Sequence, residues 1–196
     1  MKLRNNLYLL AIVIILMGCQ SSLMSLRADS SVRYGLSFAQ LGDAKKNVLS
    51  ALEREFGGLA HCENWQTGLG QSRRSFLLQK CRLISDNERE LEGDLWGERV
   101  HTVQVLFLES QLVDLRIDVL HDEPLSLYQR HGDQVLRLFG QPENVSFSRV
   151  YWQNGRDEVE LHDLKNGIIR LAVSSKNTLK KMHHTGPLQS TSFKPE

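Results

Sequence analysis

The sequence has little net charge, few cysteines and none of the common catalytic motifs. Its 196 residues carry a formal charge of +1 and three cysteines. A nearly neutral chain is a poor candidate for bulk electrostatic binding to nucleic acid or to an anionic bilayer. We find no G-x-S-x-G elbow, no P-loop and no H-E-x-x-H pattern. We therefore expect a protein that is not an enzyme, that uses no cofactor or metal, and that binds no nucleic acid.

The sequence also lacks an apolar run long enough to cross a membrane. Its longest run, residues 7–17, is shorter than the roughly 20 residues that a spanning helix needs. Lys2 and Arg4 precede the run and Gly18-Cys19 closes it, which gives the charged start, apolar core and small residue of a secretory signal. We predict a signal peptide over residues 1–18, whose removal brings the formal charge near −1. The alternatives are an uncleaved anchor or a non-lipidated signal that is cut elsewhere.

Residues 16–19, Leu-Met-Gly-Cys, resemble the lipobox of bacterial lipoproteins. The resemblance implies that Cys19 carries fatty acyl chains such as palmitate and becomes the new N-terminus. Several chains on one cysteine would hold the protein stably, whereas a single chain holds weakly. Gln20 follows where an Asp would favour retention at the inner membrane of a Gram-negative cell. The expected location is therefore the outer membrane, lipid-anchored and facing the periplasm.

If Cys19 carries lipid, Cys62 and Cys81 are the two cysteines left. In an oxidising periplasm we expect them to form a disulfide. Closing a loop of about 20 residues would contribute roughly 3 kcal/mol in the chain-entropy model. The alternatives are a metal site or a reactive thiol. Neither cysteine belongs to a C-x-x-C motif, and His61 beside Cys62 is a poor chelating partner because adjacent side chains diverge.

The chain divides into a tether, two related units and a tail. Residues 19–35 are Ser-rich and predict a flexible tether, and residues 176–196 predict a flexible basic tail. L-S-F-A-Q-L-G-D at 36–43 is echoed by L-S-L-Y-Q-R-H-G-D at 125–133, and each is followed by a short amphipathic helix that ends in Phe-Gly. We therefore predict a repeat with unit 1 over 36–120 and unit 2 over 121–175.

Each unit reads as a helix followed by an antiparallel three-strand meander. Asp43 and Asp133 are the predicted helix N-caps, and Gly57 and Gly140 the predicted C-terminal stops. Alternation predicts strands at 75–84, 100–108, 112–119, 145–152, 158–162 and 168–174. In the third of these it places Val113, Leu115, Ile117 and Val119 on one face, and Asn166-Gly167 predicts a hairpin turn. The expected fold class is α+β, with the helices packed on the sheet.

Three aromatic residues are candidate contacts for a partner. Trp96 lies in the acidic segment 86–98, which lacks the EF-hand order and reads as a solvated loop. Trp96 either contacts a partner or packs back on the sheet. Tyr151 and Trp152 are consecutive on a predicted strand, so they point to opposite faces and one of them should be exposed or covered by a partner or helix. The scattered histidines suggest no catalytic residue.

Residues 132–142 resemble the G-x-x-x-V-x-x-x-x-G-x-P signature of outer-membrane assembly lipoproteins of the SmpA/OmlA type. They are also similar to the helix-then-meander repeats of beta-lactamase-inhibitor proteins, and residues 42–57 echo the pattern without the proline. The resemblance implies helices on an antiparallel sheet and a role in protein binding. The first hypothesis is thus an accessory or scaffold that binds another envelope protein. The alternatives are a hydrolase-inhibitor or immunity-like lipoprotein and, third, a cell-envelope enzyme.

The lipobox predicts the outcome of one substitution. We expect Cys19→Ala to leave the protein soluble in the periplasm, because the acyl chains then have no attachment site. Fractionation of cells into membrane and periplasm measures this, with Ser25→Ala in the tether as the control. Persistent membrane fractionation of Cys19→Ala would contradict the lipoprotein assignment.

Overall fold

The computed structural model describes residues 33–67, 76–85 and 91–176. Cys19, the predicted signal, most of the tether and the tail beyond residue 176 lie outside these ranges. The described helices are α1 (Lys45–Phe56), α2 (Pro124–Arg130) and α3 (Gly132–Phe139). The strands are β1 (Gly35–Leu36), β2 (Ala39–Gln40), β3 (Leu59–Thr67), β4 (Phe76–Ile84), β5 (Asp94–Leu95), β6 (Glu98–Leu108), β7 (Gln111–Leu120), β8 (Asn144–Val145), β9 (Arg149–Gln153), β10 (Asp157–Asp163) and β11 (Ile168–Ser175).

Nine of these strands form one sheet that runs through both predicted units. Its order is β3-β4-β6-β7-β11-β10-β9-β8, and β5 adds to β6 outside this path. Every pair in it is antiparallel. The two halves meet where β7 pairs with β11, with Ile117 opposite Leu171. The expected α+β class is confirmed, and β1 and β2 form a separate hairpin.

The first half contains one long strand more than expected. Four long strands follow α1, because residues 59–67 form β3, which the sequence did not predict. The segment reads L-A-H-C-E-N-W-Q-T and is mostly polar, as befits an edge strand with β4 as its one neighbour. In the second half the predicted strand 145–152 is broken into β8 and β9 by a turn at residues 146–148.

A bulge corrects the expected side-chain alternation of β7. The register shifts between Leu106 and Phe107, so Phe107 lies opposite Leu112, whereas Leu106 lies opposite Asp114. The extra residue on the β7 side is Val113, and Leu112 rather than Val113 joins the core with Leu115. The rest of the predicted alternation holds along β7.

The C-terminal ends of α1 and α3 lie at the predicted glycines, but their N-terminal ends do not lie at the predicted aspartates. Gly57 and Gly140 end α1 and α3 at φ values of +69° and +75°, as predicted. The N-caps are Ala44 and His131, so the predicted caps at Asp43 and Asp133 are wrong. A carboxylate oxygen of Asp43 instead accepts a hydrogen bond from the backbone N–H of Gln40 at 2.8 Å. The Asn-Gly hairpin between β10 and β11 is confirmed.

The hydrophobic core lies between the helices and one face of the sheet. Trp152 is fully buried there, with its ring against Tyr128 and Phe139. Its indole N–H donates to the carbonyl oxygen of Gly140 at 3.0 Å, which satisfies its polar atom. The described helices all pack on this side, through buried residues Val48, Leu52, Phe56, Leu127, Val135 and Phe139. We call the other side of the sheet the open face.

The described chain begins and ends at the same place. Asp157, the first residue of β10, accepts hydrogen bonds from Arg33 Nε at 2.8 Å and from the backbone N–H of Tyr34 at 3.2 Å. Asp157 lies opposite Ser175, the last residue of β11. The backbone N–H of Lys176 then donates to the carbonyl oxygen of Arg156. The buried Asp157 carboxylate therefore holds the first described residues, Arg33 and Tyr34, beside the last ones, Ser175 and Lys176.

The structure contains the Cys62–Cys81 disulfide, which joins residues directly opposite each other on β3 and β4. We expect no free thiol in the folded domain and a loss of about 3 kcal/mol of unfolding free energy on reduction. Thiol titration and urea unfolding with and without reductant measure these. The Cys62→Ala, Cys81→Ala double variant is the control, since its stability should not respond to reductant. Two reactive thiols in the unreduced protein would contradict the assignment.

Candidate functional site on the open sheet face

The open face carries polar and charged side chains in register across its central strands. Alternation along each strand places every second residue on this face. Pairing then aligns Thr102 on β6 with Asp118 on β7 and Arg170 on β11. In the same way it aligns Leu106 with Asp114 and Asp114 with Ser174. The carboxylates of Asp114 and Asp118 thus both lie on the central strand β7, four residues apart.

Both carboxylate oxygens of Asp118 accept hydrogen bonds. Its carboxylate accepts from Thr102 Oγ1 at 2.8 Å, and from Arg170 Nε and Nη2 at 2.7 and 2.9 Å. Burial opposes its ionisation, yet the hydrogen bonds from Arg170 and Thr102 outweigh burial and hold the pKa of Asp118 below its usual range. The hydrogen bond to Asp118 likewise raises the pKa of Arg170. This two-pronged pair is a stabilising contact between β7 and β11.

Asp114 is deeply buried, and only one of its two carboxylate oxygens has a hydrogen-bond donor. Its residue is 4% exposed, and Arg116 Nε lies 2.7 Å from Oδ2. Oδ1 is buried and has no hydrogen-bond partner. Burial raises the pKa of Asp114 by more than Arg116 and Ser174 lower it. A buried acceptor without a donor costs free energy, and native proteins contain few of them.

Asp114 lines a shallow depression of about 150 Å³ on the open face. Side chains of Lys80, Gln104, Leu106 and Arg116 also line it. It therefore places the nearly buried Asp114 carboxylate among the donor groups of Lys80, Gln104 and Arg116, and the Gln104 amide adds an acceptor. Such a recess can receive a group that both donates and accepts hydrogen bonds, such as a peptide or side-chain amide.

Of the two consecutive aromatic residues predicted as contacts, only Tyr151 lies on the open face. Its hydroxyl donates to Gln153 Oε1 at 3.0 Å or Glu158 Oε2 at 3.3 Å, and the Arg149 guanidinium lies 4.7 Å from its ring centroid. Burial and the neighbouring Glu158 raise the pKa of Tyr151. Trp152 points to the opposite face, where the helices cover it. The expectation that Trp152 contacts a partner is corrected accordingly.

Trp96 packs back on the protein rather than projecting from it. It sits in the turn between β5 and β6 at φ +59° and is partly buried against the core. Its ring lies beside His131, with the ring centroids 6.1 Å apart. Residues 86–90 of the acidic segment lie outside the described ranges. Of the two predicted positions of Trp96, contact with a partner or packing on its own domain, the structure shows the second.

Sequence reasoning missed a cluster centred on Glu98. Arg130 Nη1 lies 2.7 Å from the Glu98 carboxylate, His131 Nε2 3.3 Å and His121 Nδ1 3.5 Å. Burial opposes ionisation, but the hydrogen bonds from His131 and Arg130 lower the pKa of Glu98. No spacing signal could have revealed the cluster, because Glu98 lies on β6 and its partners follow β7 in and around α2. The cluster ties α2 to the end of the sheet.

Ser126, His121 and Glu98 are arranged in the same order as the catalytic triad of a hydrolase. His121 Nε2 lies 2.8 Å from Ser126 Oγ, and Glu98 is on the other side of the ring. The Ser126 hydroxyl, however, donates to the carbonyl oxygen of Glu123 at 2.9 Å. The Ser126 hydroxyl therefore has two hydrogen-bond partners, a ring nitrogen of His121 and the backbone at the start of α2. Glu98, His121 and Ser126 together connect the start of α2 to the sheet.

Phe147 is a second feature that sequence reasoning missed. It occupies the tip of the turn between β8 and β9 and is 75% exposed, more than the other large hydrophobic residues described. The backbone N–H of Ser146 donates to the carbonyl oxygen of Arg149 at 2.7 Å and closes the turn. The available signal was an aromatic residue between two serines. Such an aromatic tip is suited to insertion into a partner's pocket.

Within residues 33–67, 76–85 and 91–176, no group of three or more His, Cys, Asp or Glu side chains is arranged to hold a metal ion. No helix in the described ranges is long and apolar enough to span a bilayer. Comparison with protein-family models, with curated proteins and with solved structures finds no match for the chain. The proposals below therefore depend on the chain's own sequence and geometry.

The two central carboxylates predict opposite responses to pH. The raised pKa of Asp114 means that its contribution to stability is present at low pH and is lost as pH rises through the folded-state pKa. The lowered pKa of Asp118 means that its contribution is present above the unfolded-state pKa and is lost as pH falls through the folded-state pKa. At neutral pH, Asp114→Asn should raise the unfolding free energy by about 1 kcal/mol. Asp118→Asn should lower it by about 2 kcal/mol.

Urea unfolding of both variants between acid and neutral pH measures these changes. The two substitutions are matched controls, because they make the same chemical change four residues apart on β7. Equal destabilisation by both substitutions at neutral pH would contradict the assignment of Asp114 as a strained group.

Proposed function

We propose that this chain is a non-enzymatic lipoprotein of the outer membrane that faces the periplasm and binds another envelope protein through its open face. The observation that carries the proposal is the depression on the open face, where Asp114 lies among the donor groups of Lys80, Gln104 and Arg116. The lipobox-like sequence that ends in Cys19 supports the anchor.

The binding would be polar at the centre of the face. A partner's carbonyl or carboxylate oxygen can accept hydrogen bonds from Lys80 and Arg116, which line the depression with Asp114. Tyr151 and Arg149 supply an aromatic and cationic contact farther along the face. Because interface energy is concentrated in a few desolvated residues, Asp114 is the residue on which such an interface should depend most.

We further infer that the two halves are a duplicated unit. The segments 36–43 and 125–133 that suggested the repeat differ in structure, since the first forms the β1–β2 hairpin and the second lies in α2 and the start of α3. From α1 and from α3 onward, each half continues through an outer strand of the sheet and ends with a central strand. The two final strands, β7 and β11, pair antiparallel at the middle of the sheet. A twofold axis between them would relate the halves in this way. The unequal strand numbers then represent divergence: four long strands follow α1, but three strands longer than two residues follow α3.

One observation favours a second function, that of a hydrolase inhibitor or immunity-like protein. Phe147 projects from a tight turn and is mostly exposed. An inhibitor blocks an active site by inserting such a residue, so the inserted element would be the turn at 146–148. The segment 86–98, which was the loop first considered for this role, has Trp96 packed against the protein.

Site-specific photo-crosslinking in intact cells tests the proposed function. A photoreactive residue replacing Gln104, in the depression, should give an adduct with a distinct envelope protein. The same residue at Gln134, exposed on the helical side, should give none. Asp114→Asn should reduce the Gln104 adduct about tenfold, which corresponds to losing one strong interface contact. Asp133→Asn, the same change on the helical side, is the matched control.

Two outcomes would contradict the open-face proposal. One is an adduct at Gln104 that Asp114→Asn leaves unchanged. The other is an adduct confined to a photoreactive residue at position 147 and abolished by Phe147→Ala in a protein with Asp114 intact. The second outcome would support the inhibitor alternative, because the aromatic tip and not the depression would then make the contact.

A further inference from the structure

The two edges of the large sheet differ greatly in length. At one edge β8 has two residues, and at the other edge β3 has nine. β3 contains no proline, pairs with β4 in one continuous register without a bulge, and has β4 as its one neighbour in the described sheet. Native proteins commonly shorten, bend or cover such an edge, because an open edge strand can pair with another strand. The β3 edge is therefore a candidate docking site for a further strand.

Two observations show which backbone groups of β3 point away from β4. The backbone N–H of Ala60 donates to Glu53 Oε1 at 3.1 Å, so it does not bond to β4. Cys62 lies opposite Cys81 with a Cα–Cα distance of 4.0 Å, as in a pair that exchanges no backbone hydrogen bonds. The two kinds of pair alternate along a strand, so the N–H and C=O groups of Ala60, Cys62 and Asn64 all point outward.

The middle of β3 is accessible from both sides of the sheet. The four residues 61–64 are all exposed. Alternation places Cys62 and Asn64 on the side that carries the helices, because Cys81 opposite Cys62 lies in the core. Their exposure shows that the described helices do not cover them. A second strand can therefore lie along this part of β3 without displacing a helix.

The open-face residues of β3 are complementary to themselves. His61 and Glu63 lie on this face, opposite Arg82 and Lys80 of β4. If a second copy of β3 pairs antiparallel about a twofold axis at Cys62, His61 of each copy lies opposite Glu63 of the other. These are pairs without backbone hydrogen bonds, in which side chains approach most closely. The imidazole can then donate a hydrogen bond to the carboxylate twice in one interface.

The neighbouring registers lack this match. A twofold axis at Glu63 places the two Glu63 carboxylates directly opposite each other, and like charges so placed are destabilising. An axis at His61 places the two imidazoles opposite each other and Glu63 opposite Leu59. Of these three registers, the one centred on Cys62 is the one that opposes acid and base.

Pairing of two β3 strands also leaves no long edge in the described sheet. The doubled sheet would end at β8 on both sides. The same surface serves both copies, so the contact is closed and does not propagate into a fibre. A strand from another protein would occupy the edge without using the match between His61 and Glu63. A second copy is therefore the occupant that the residues of β3 favour.

We propose that this chain forms a twofold homodimer through antiparallel pairing of its β3 strands. The N–H and C=O groups of Cys62 bond to those of Cys62 in the second copy, and the N–H of Asn64 donates to the carbonyl oxygen of Ala60 in the second copy. The two open faces then lie on the same side of one continuous sheet. This inference depends neither on the lipid anchor nor on the envelope partner proposed above.

Sedimentation equilibrium of the full chain in a density-matched detergent measures its mass. The wild-type protein should have the mass of two chains. His61→Glu should raise the dissociation constant about tenfold, because two Glu–Glu pairs replace two His–Glu pairs. Exchanging the residues, as His61→Glu with Glu63→His, should restore the dimer, because each acid again lies opposite a histidine.

A backbone variant tests the edge directly. Asn64→Pro removes an outward N–H that β4 does not use, so the chain should fold and sediment as a monomer. Asn64→Ala is the matched control and should remain a dimer, since it removes the side-chain contact with Gln79 and keeps the N–H. Urea unfolding checks that both variants are folded, and the His61 variants decide the matter if Asn64→Pro is not.

Three outcomes would overturn the proposal. The first is a wild-type chain that is monomeric at every concentration. The second is a dimer that His61→Glu leaves unchanged, since the contact would then lie elsewhere on the chain. The third is a dimer that His61→Glu weakens but the exchange with Glu63 does not restore, because the register centred on Cys62 would then be wrong.

Discussion

The antiparallel pairing of β7 with β11 is the interaction on which the rest of this structure depends. It joins strands about fifty residues apart in the chain and turns two meanders into one sheet. On the covered side it places Ile117 against Leu171 in the core. On the open side it places Asp118 against Arg170 and Asp114 against Ser174. The centre of the core and the centre of the candidate site are thus two faces of one strand pair.

The two aspartates of β7 on the open face, Asp118 and Asp114, differ in how completely they are hydrogen-bonded. The Asp118–Arg170 contact has its donors and acceptors matched, so it reinforces the pairing that holds the halves together. Asp114, four residues away on β7, has a buried oxygen without a hydrogen-bond donor and lines a depression. The first carboxylate is explained by the fold and the second is not.

Particular residues show how far the sequence led toward the candidate site. Alternation separated Tyr151 from Trp152, since that depends only on the pleat of a strand. It could not tell which face the helices would cover, and Trp152 proved to be the buried one. The Glu98 cluster and the Asp114 depression were out of reach, because each depends on side chains from elements far apart in the chain. β3 escaped prediction because an edge strand needs little apolar character.

By itself the sequence determined the local elements: the glycine stops of the helices, most of the alternating strands and the Asn-Gly turn. These depend on backbone preferences and periodicity over a few neighbouring residues. The sequence also supplied the Cys62–Cys81 pair by elimination. Only the tertiary structure decided the strand order, the covered face, and the placement of Asp114 and Asp118 at the centre of the sheet. The physical reason is that burial and charge position follow from which distant segments pair, and short-range patterns carry no record of that pairing.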